Sequence, residues 1–510
     1  MELLDNIASL RFFVPELVLA GLALLLILVD LVVRRRDGAV IGYLTLATLA
    51  LVGWLTLSGD GADGTRLFYG MIVHDGLARF FKVFIASAAF LTVLVSIRSP
   101  ELEPRFRGEY FVLLLFATFG MFLMVSASNL LIVYLSIEMA SLSSYILAGF
   151  LSDDTRSSEA SFKYVIYGAV ASGVMLFGIS LVFGMTGTVD IPAIGERLAI
   201  GSPYALVLAL VFIFAGLGYK IASVPFHMWS PDVYEGAPIP ITAFLSVASK
   251  AAGFGVTIRV FRDGLGAADV IAAMDWPFFL ALISAITMTV GNLAAIGQRN
   301  VKRLLAYSSI AHGGYLLMGV AAMGSGAFQN AAVAAILFYF VVYLFMNLGA
   351  FYVVQHLAVP GRLGSEEIAS YRGLVRRAPL VALLMSVFLF SLIGIPPFAG
   401  FWGKLYLFKV VVDASLAPGA VGGHNLVWLV VLGLLNSAIS LYYYFSIVKA
   451  MLLDAPEERE PVRMNSAFAL LLVLLFLPTL LFGLVTSVGA FRVDSAAEPT
   501  ASVDLPGPTH

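Results

Sequence analysis

Two lysines buried in apolar runs constrain this chain more than any other feature. Residues 205–229 read ALVLALVFIFAGLGYKIASVPFHMW. This run carries Lys220, breaks at Pro225, and passes through the connector SPDVYEGAP into a second apolar run that carries Lys250. Burying an ammonium at the centre of a bilayer costs about 2.5–3.5 kcal/mol even on the gentlest insertion scale, so an intramembrane lysine points to function. A proline inside such a run removes a backbone donor and clashes with the preceding turn. At membrane depth the freed polar groups are tolerated only where protein or a watery cavity surrounds them. The stretch is therefore expected to line a polar interior.

Composition sets the class. Of 510 residues, 60% are hydrophobic and 12% charged, with a mean hydropathy of +0.96, which excludes an ordinary soluble protein. The net charge of −2 argues for neither a nucleic-acid partner nor a polybasic lipid-binding tail. The absence of cysteine removes thiolate-ligated clusters and disulfides, and the six histidines lack metal-ligand spacings. No cofactor or metal bound by this chain is expected.

Apolar runs near the roughly 20 residues that cross a bilayer predict fourteen spans: 13–33, 39–58, 76–97, 109–126, 129–150, 162–184, 204–229, 240–261, 276–297, 303–323, 329–356, 379–412, 425–449 and 465–490. The first is expected to be a retained helix, since Met1 to Arg11 holds two acids and one base and shows no cleavage site. Connectors on one side, including Arg34, Arg35 and Arg36, hold eighteen Lys and Arg; the other side holds six, Arg259, Arg262 and Arg492 among them. By the positive-inside rule both termini are expected outside.

Six basic residues remain within or at the edges of spans: Arg79, Lys82, Lys220, Lys250, Lys404 and Lys409. Arg79, Lys82 and Lys409 lie near span ends, where long stems snorkel to the interface. Lys220, Lys250 and Lys404 lie several turns inside. The run 379–412 is too long for one straight crossing and is interrupted by SLIGIPPFAGFWGK, so it is expected to be a second broken helix. Its Pro397-Phe398 and Trp402 echo Pro225-Phe226 and Trp229, and a matching pair of interrupted segments is the mark of a transporter built from repeats.

Helical spacing puts Tyr134, Glu138, Ser141 and Tyr145 on one face, Ser246, Lys250 and Gly253 on another, and Ser308, His312 and Tyr315 on a third. Taken alone, Glu138 also fits a protonated acid tied into helix packing, and His312 a satisfied core histidine. Together with the three lysines they make a chain of titratable groups of the kind that carries protons. His227 and Asp232 to Glu235, at the helix break, are read as capping and shaping it.

The stretch Pro225-Phe-His-Met-Trp-Ser-Pro-Asp-Val-Tyr-Glu-Gly-Ala-Pro238 resembles the antiporter-like subunits of respiratory complex I, as do Thr242-Ala-Phe-Leu-Ser with Lys250, Lys302-Arg-Leu-Leu-Ala-Tyr-Ser-Ser309, Gly394-Ile-Pro-Pro-Phe-Ala-Gly-Phe-Trp-Gly-Lys404 and Glu138. The resemblance covers roughly residues 105–450. Ser157-Ser-Glu-Ala-Ser-Phe-Lys-Tyr164 and the lysine at 404 resemble the subunit N branch, whereas the M branch carries a glutamate there.

The resemblance implies an all-α polytopic membrane protein of about fourteen helices with broken helices 7 and 12. It would comprise three N-terminal helices (1–104), two inverted five-helix repeats (105–265 and 266–455), and a last helix with an outer tail (456–510). It implies a proton relay in which Glu138 and Lys220 are coupled, Lys250 and His312 pass the proton on, and Lys404 is terminal. It places the chain in a bacterial inner membrane beside sibling antiporter-like subunits, with NADH, FMN, iron–sulfur clusters and quinone handled by other subunits. At about 7 Å and an effective dielectric near 20, a Glu138–Lys220 pair is worth roughly 2.4 kcal/mol. Moving a charge against ~150 mV costs about 3.5 kcal/mol, so one switching pair does not suffice. The nearest rival is a subunit of a multi-subunit cation/proton antiporter, against which the Asp232 to Pro238 connector argues; a vestigial structural spacer is a second.

Overall fold

The computed structural model describes residues 3–33, 38–59, 64–198, 203–359, 362–417, 423–456 and 460–484. The expectations that concern Arg34 to Arg36, Arg459, Arg492 and the segment 485–510, with the end of the last span and the tail, lie outside the described residues.

The chain is helical almost throughout. The principal helices are α1 (Val14–Val33), α2 (Ala39–Ser58), α3 (Gly76–Ser96), α4 (Arg107–Ser126), α5 (Leu130–Ala148), α6 (Thr155–Thr186), α7 (Pro203–Ile221) and α8 (Trp229–Gly236). They continue with α9 (Ile239–Gly264), α10 (Trp276–Ile296), α11 (Val301–Ala322), α12 (Gln329–Leu357), α13 (Pro379–Ile393), α14 (Ala399–Leu416), α15 (Val427–Leu452) and α16 (Ser466–Leu484). Between α2 and α3 lies one element the sequence did not announce, an antiparallel hairpin of β1 (Thr65–Leu67) and β2 (Ile72–His74). Its turn uses left-handed residues, with φ of 52° at Phe68, 56° at Tyr69 and 89° at Gly70.

Among the described residues thirteen helices are long and apolar enough to cross a membrane, which makes this a multi-pass membrane protein. The expected count was fourteen, and the difference lies in the run 379–412. The chain leaves α13 after 15 residues and resumes as α14, which carries Lys404, Lys409 and Asp413 and is therefore too polar to count as a simple span.

α7 likewise stops at Ile221, with the chain resuming as α8 after Trp229. The two interruptions share local geometry. A left-handed residue (Ala222, φ 56°; Gly394, φ 88°) stands three positions before a proline, and the Val224–Pro225 and Pro396–Pro397 bonds are cis. Glycine carries the left-handed turn at 394 without a Cβ clash, while Ala222 holds it against one.

Helix starts follow ordinary capping. Asp75, Asn129, Asp154 and Asn300 each accept a backbone N–H from the first turn of α3, α5, α6 and α11. Two glycines allow close packing of neighbouring helices. A Cβ on Gly120 of α4 would lie 2.5 Å from the Ala140 nitrogen of α5, and one on Gly291 of α10 would lie 2.7 Å from the Ala311 nitrogen of α11. The interior sits around α9 and α11, the most completely buried spans, at 100% and 94%.

α9 is not a uniform α-helix. Its segments Leu245–Ser249 and Val260–Gly264 are π-helical and bracket an α-helical middle, Lys250–Arg259. Such wide turns are uncommon and concentrate at functional positions.

Candidate functional site

α7, α9, α11 and α14 deliver Lys220, Lys250, His312 and Lys404 to the interior, each between 2% and 4% exposed. Each cation finds neutral oxygens. Lys220 Nζ donates to Ser141 Oγ of α5 at 3.1 Å, without a direct ion pair to Glu138. Lys250 Nζ donates to Ser309 Oγ of α11 at 2.6 Å and to the Ser309 carbonyl. Lys404 Nζ donates to the Ile393 carbonyl at 2.7 Å and to Ser437 Oγ at 3.0 Å, and lies 4.7 Å over the Tyr315 ring. The Ile393 carbonyl is available because α13 ends there.

These contacts join into a row. A Cβ on Gly253, one turn beyond Lys250 on α9, would lie 3.4 Å from the Lys220 stem, so the missing side chain brings the two lysine helices together. Ser309 is followed three residues later by His312. Its Nδ1 lies 2.5 Å from the Tyr339 hydroxyl of α12 and its Nε2 lies 3.3 Å from the Tyr444 hydroxyl of α15, and Tyr444 also bonds Ser308. The His312 and Tyr315 rings are 5.9 Å apart, and Tyr315 is the ring beneath Lys404. Hydroxyls, an imidazole and amines can each exchange a proton, so the row is chemically continuous in type. Its two ends are half-buried: Glu138 on α5 and Ser437 on α15.

The structure thus brings Lys220, Lys250, His312 and Lys404 into one interior and sets Glu138 one helical turn from the serine that Lys220 reaches. Ser309, Tyr339, Tyr444 and Ser437 were missed. A signal existed for one of them, since Tyr339, Tyr343 and Asn347 recur at four-residue spacing on α12. Single serines and tyrosines are otherwise common in helix packing and carry no mark of their partners.

Other basic residues need correction. Lys82 does not snorkel: it is 4% exposed, and its Nζ lies 2.5 Å from Oε1 of the fully buried Glu16 of α1. Lys409 has Asp413 one turn away and a side chain that is 67% exposed. Arg259 and Arg262, counted as connector charges, are buried in α9. Arg259 grips Asp75 through two nitrogens at 2.6 and 2.9 Å and donates to the Val125 carbonyl at 2.7 Å. The connector acids do more than cap. Asp232 joins Lys163 of α6 (2.5 Å) to Arg303 of α11 (2.6 Å), and Glu235 adds a second contact to Arg303 at 2.9 Å. Burial acts against the Asp232 charge, but Lys163 and Arg303 hold its carboxyl below the usual carboxylate range. Among the described residues no group of three or more His, Asp or Glu could hold a metal ion.

A multi-span bundle with lysines buried in its interior defines a polytopic membrane protein with a polar core, and the comparisons say of which class. Residues 127–436 match the family described as NADH:quinone oxidoreductase/Mrp antiporter, TM. NADH-quinone oxidoreductase subunit N of Anaeromyxobacter sp. (strain Fw109-5) is 45% identical over 94% of this chain and 95% of its own. Subunit N 2 of Sorangium cellulosum (strain So ce56) is 47% identical over 94% and 96%. A chain of respiratory complex I from Thermus thermophilus with bound aureothin superposes with a TM-score of 0.77 at 32% identity, over 94% of this chain and 99% of that one. The chain belongs to the NADH-quinone oxidoreductase subunit N family of antiporter-like membrane subunits. It is a membrane subunit of a larger assembly.

Proposed function

We propose that this chain translocates protons in the membrane arm of a bacterial NADH:quinone oxidoreductase, along Glu138, Lys220, Lys250, His312 and Lys404. Redox chemistry, with its NADH, FMN, iron–sulfur clusters and quinone, belongs to other subunits, and sibling antiporter-like subunits flank this one in the inner membrane. The observation that carries the reading is the company the three lysines keep. Each ammonium is buried against hydroxyls and carbonyls, with no carboxylate in contact among the described residues. An ammonium locked in a buried ion pair holds its proton, because losing it strands the partner charge. One held by neutral oxygens can give its proton up and take it back.

The two half-buried ends of the row support lateral coupling, with Glu138 facing one neighbour and Ser437 beside Lys404 facing another. The paired helix interruptions, and the paired glycine contacts of α4 on α5 and α10 on α11, support two inverted repeats over 105–265 and 266–455, with helices 1–104 and 456–510 added at either end. The charge asymmetry supports termini on the outer face; a protease-cleavable tag at His510 tests it, and cleavage only from the cytoplasmic side overturns it.

Co-purification tests the function. Recovery with quinone-reducing subunits, and loss of proton pumping in Lys250→Ala with assembly intact, are the expected results. Recovery with a small cation/proton antiporter set instead places the chain in that machine.

A further inference from the structure

A polar cavity of about 330 Å³ lies where two of the lysine- and histidine-bearing helices begin. α9 starts at Ile239 and α11 at Val301, and Ala237 and Lys302 stand in the cavity wall. The charged groups that face it come from five segments: Glu101 from the connector between α3 and α4, Asp154 and Arg156 at the start of α6, Glu235 of α8, Lys302 of α11, and Glu366 with Glu367 before α13.

Glu101 stands apart from Glu366, Asp154 and Glu235. Glu366 is held by Lys302 at 3.1 Å, Asp154 by Arg156 at 3.2 Å, and Glu235 by Arg303 at 2.9 Å. A carboxylate beside a permanent cation keeps its charge. Glu101 instead accepts the backbone N–H of Ile239, the first residue of α9, at 3.1 Å. Burial pushes its carboxyl above the usual range, against the opposing pull of Lys302 and of that N–H.

Polar contacts continue from the cavity wall toward Lys250. Lys302 Nζ donates to the Ala237 carbonyl at 3.0 Å, and the Thr242 hydroxyl lies within hydrogen-bond reach of that carbonyl and of the Tyr234 carbonyl, at 3.5 and 3.0 Å. Tyr234 is buried, and Ser309 is among the side chains that act on its hydroxyl. Ser309 is the serine that Lys250 grips at 2.6 Å.

Resting on the relay reading above, we infer that Glu101 is the proton-loading carboxyl of this chain. It takes a proton from water on the Arg156 and Lys302 side, becoming a neutral acid. It releases that proton inward to the neutral amine of Lys250 beside Ser309, and returns to a carboxylate.

The test uses the whole complex in sealed vesicles, with proton uptake and NADH oxidation followed from pH 6 to 9. Glu101→Gln keeps an oxygen for the Ile239 N–H but cannot be protonated; Glu101→Asp restores a titrating acid; Lys250→Ala is the control. Proton uptake by Glu101→Gln is expected to fall at least ~fivefold at pH 8.5, where free protons are scarce, and less than ~twofold at pH 6, with Glu101→Asp recovering most of the alkaline loss. A Glu101→Gln complex that follows wild type at every pH while Lys250→Ala abolishes uptake overturns the loading role and leaves the relay standing. An equal loss at every pH, unrescued by aspartate, makes Glu101 a cap of α9 and also overturns it. Normal uptake in Lys250→Ala removes the relay and the loading role together.

Discussion

The Lys220 ammonium ends at the Ser141 hydroxyl, 3.1 Å away, and not at Glu138 one turn earlier on the same helix. An acid and a base set apart by a hydroxyl feel each other's charge without locking together. In the proposed relay, closing or opening that gap changes how firmly Lys220 holds its proton. Groups that act as one unit share a single loss. Glu138→Ala and Lys220→Ala are therefore expected to slow coupled turnover to similar extents, and the double variant to be less than additive. Ser141→Ala should cost less than either. Proton pumping per NADH oxidised, in assembled complexes, measures all four, and plain additivity separates Glu138 from Lys220.

Lys404 provides a test of proton exchange against static charge. Lysine can lose its proton in a buried site, whereas arginine keeps its own with a pKa above about 12. Lys404→Arg is expected to fall within about twofold of Lys404→Ala in proton pumping, although it preserves the charge. Arginine is also larger than lysine, so subunit content on a native gel must be read beside activity. Near wild-type pumping in a well-assembled Lys404→Arg complex leaves this lysine a structural role.

Tyr444 ties two parts of the row, since its hydroxyl meets both Ser308 and His312. Tyr444→Phe keeps the ring and deletes only that link. Leaving Ser308 without its partner costs about 1–3 kcal/mol of local stability, which a membrane complex of this size should survive. Pumping is expected to drop severalfold while NADH oxidation by uncoupled complexes is retained. Unchanged pumping assigns Tyr444 to packing alone.

The Asp75–Arg259 clamp answers to acid. Burial works to raise the Asp75 carboxyl, but the Arg259 guanidinium overrides it and holds the group below its ordinary value. A depressed folded pKa gives stability that is complete above the unfolded carboxylate value, about 3.9, and is lost as the pH falls below it. Removing one partner of a buried pair costs about 3–5 kcal/mol because the other charge is stranded. Asp75→Asn is therefore expected to lower the melting temperature of the complex at pH 7 and to flatten its decline below pH 4. A melting curve that matches wild type at both pH values shows the clamp to be energetically idle.

Much of this was legible in the sequence. The apolar runs located the spans because a bilayer tolerates few polar residues, and the same rule exposed Glu138, Lys220, Lys250 and Lys404 as exceptions. The rule applied equally to Glu16, inside the first run, whose partner Lys82 was read as an interfacial residue because it lies near a span end. Arg259 could not be paired with Asp75 across 184 residues, since long-range partners leave no local pattern. The split of 379–412 was foreseen from its prolines, but the polarity of its second half was not weighed against the span count. Ser309 and Ser437 were invisible because a serine bonds locally as readily as it bonds a lysine.

Lys250 and Arg259 are the first and last residues of one short α-helical rod, about 14 Å apart along its axis, with a π turn at each end. An α-helix of ten residues is stiff, because every interior N–H is committed four residues back. The rod therefore fixes the separation and the relative direction of its two tips. One tip is bonded to Ser309 in the lysine row and the other to Asp75 at the start of α3. The lysine row and the clamp at the start of α3 are thus held in register by one stiff element, anchored at both ends.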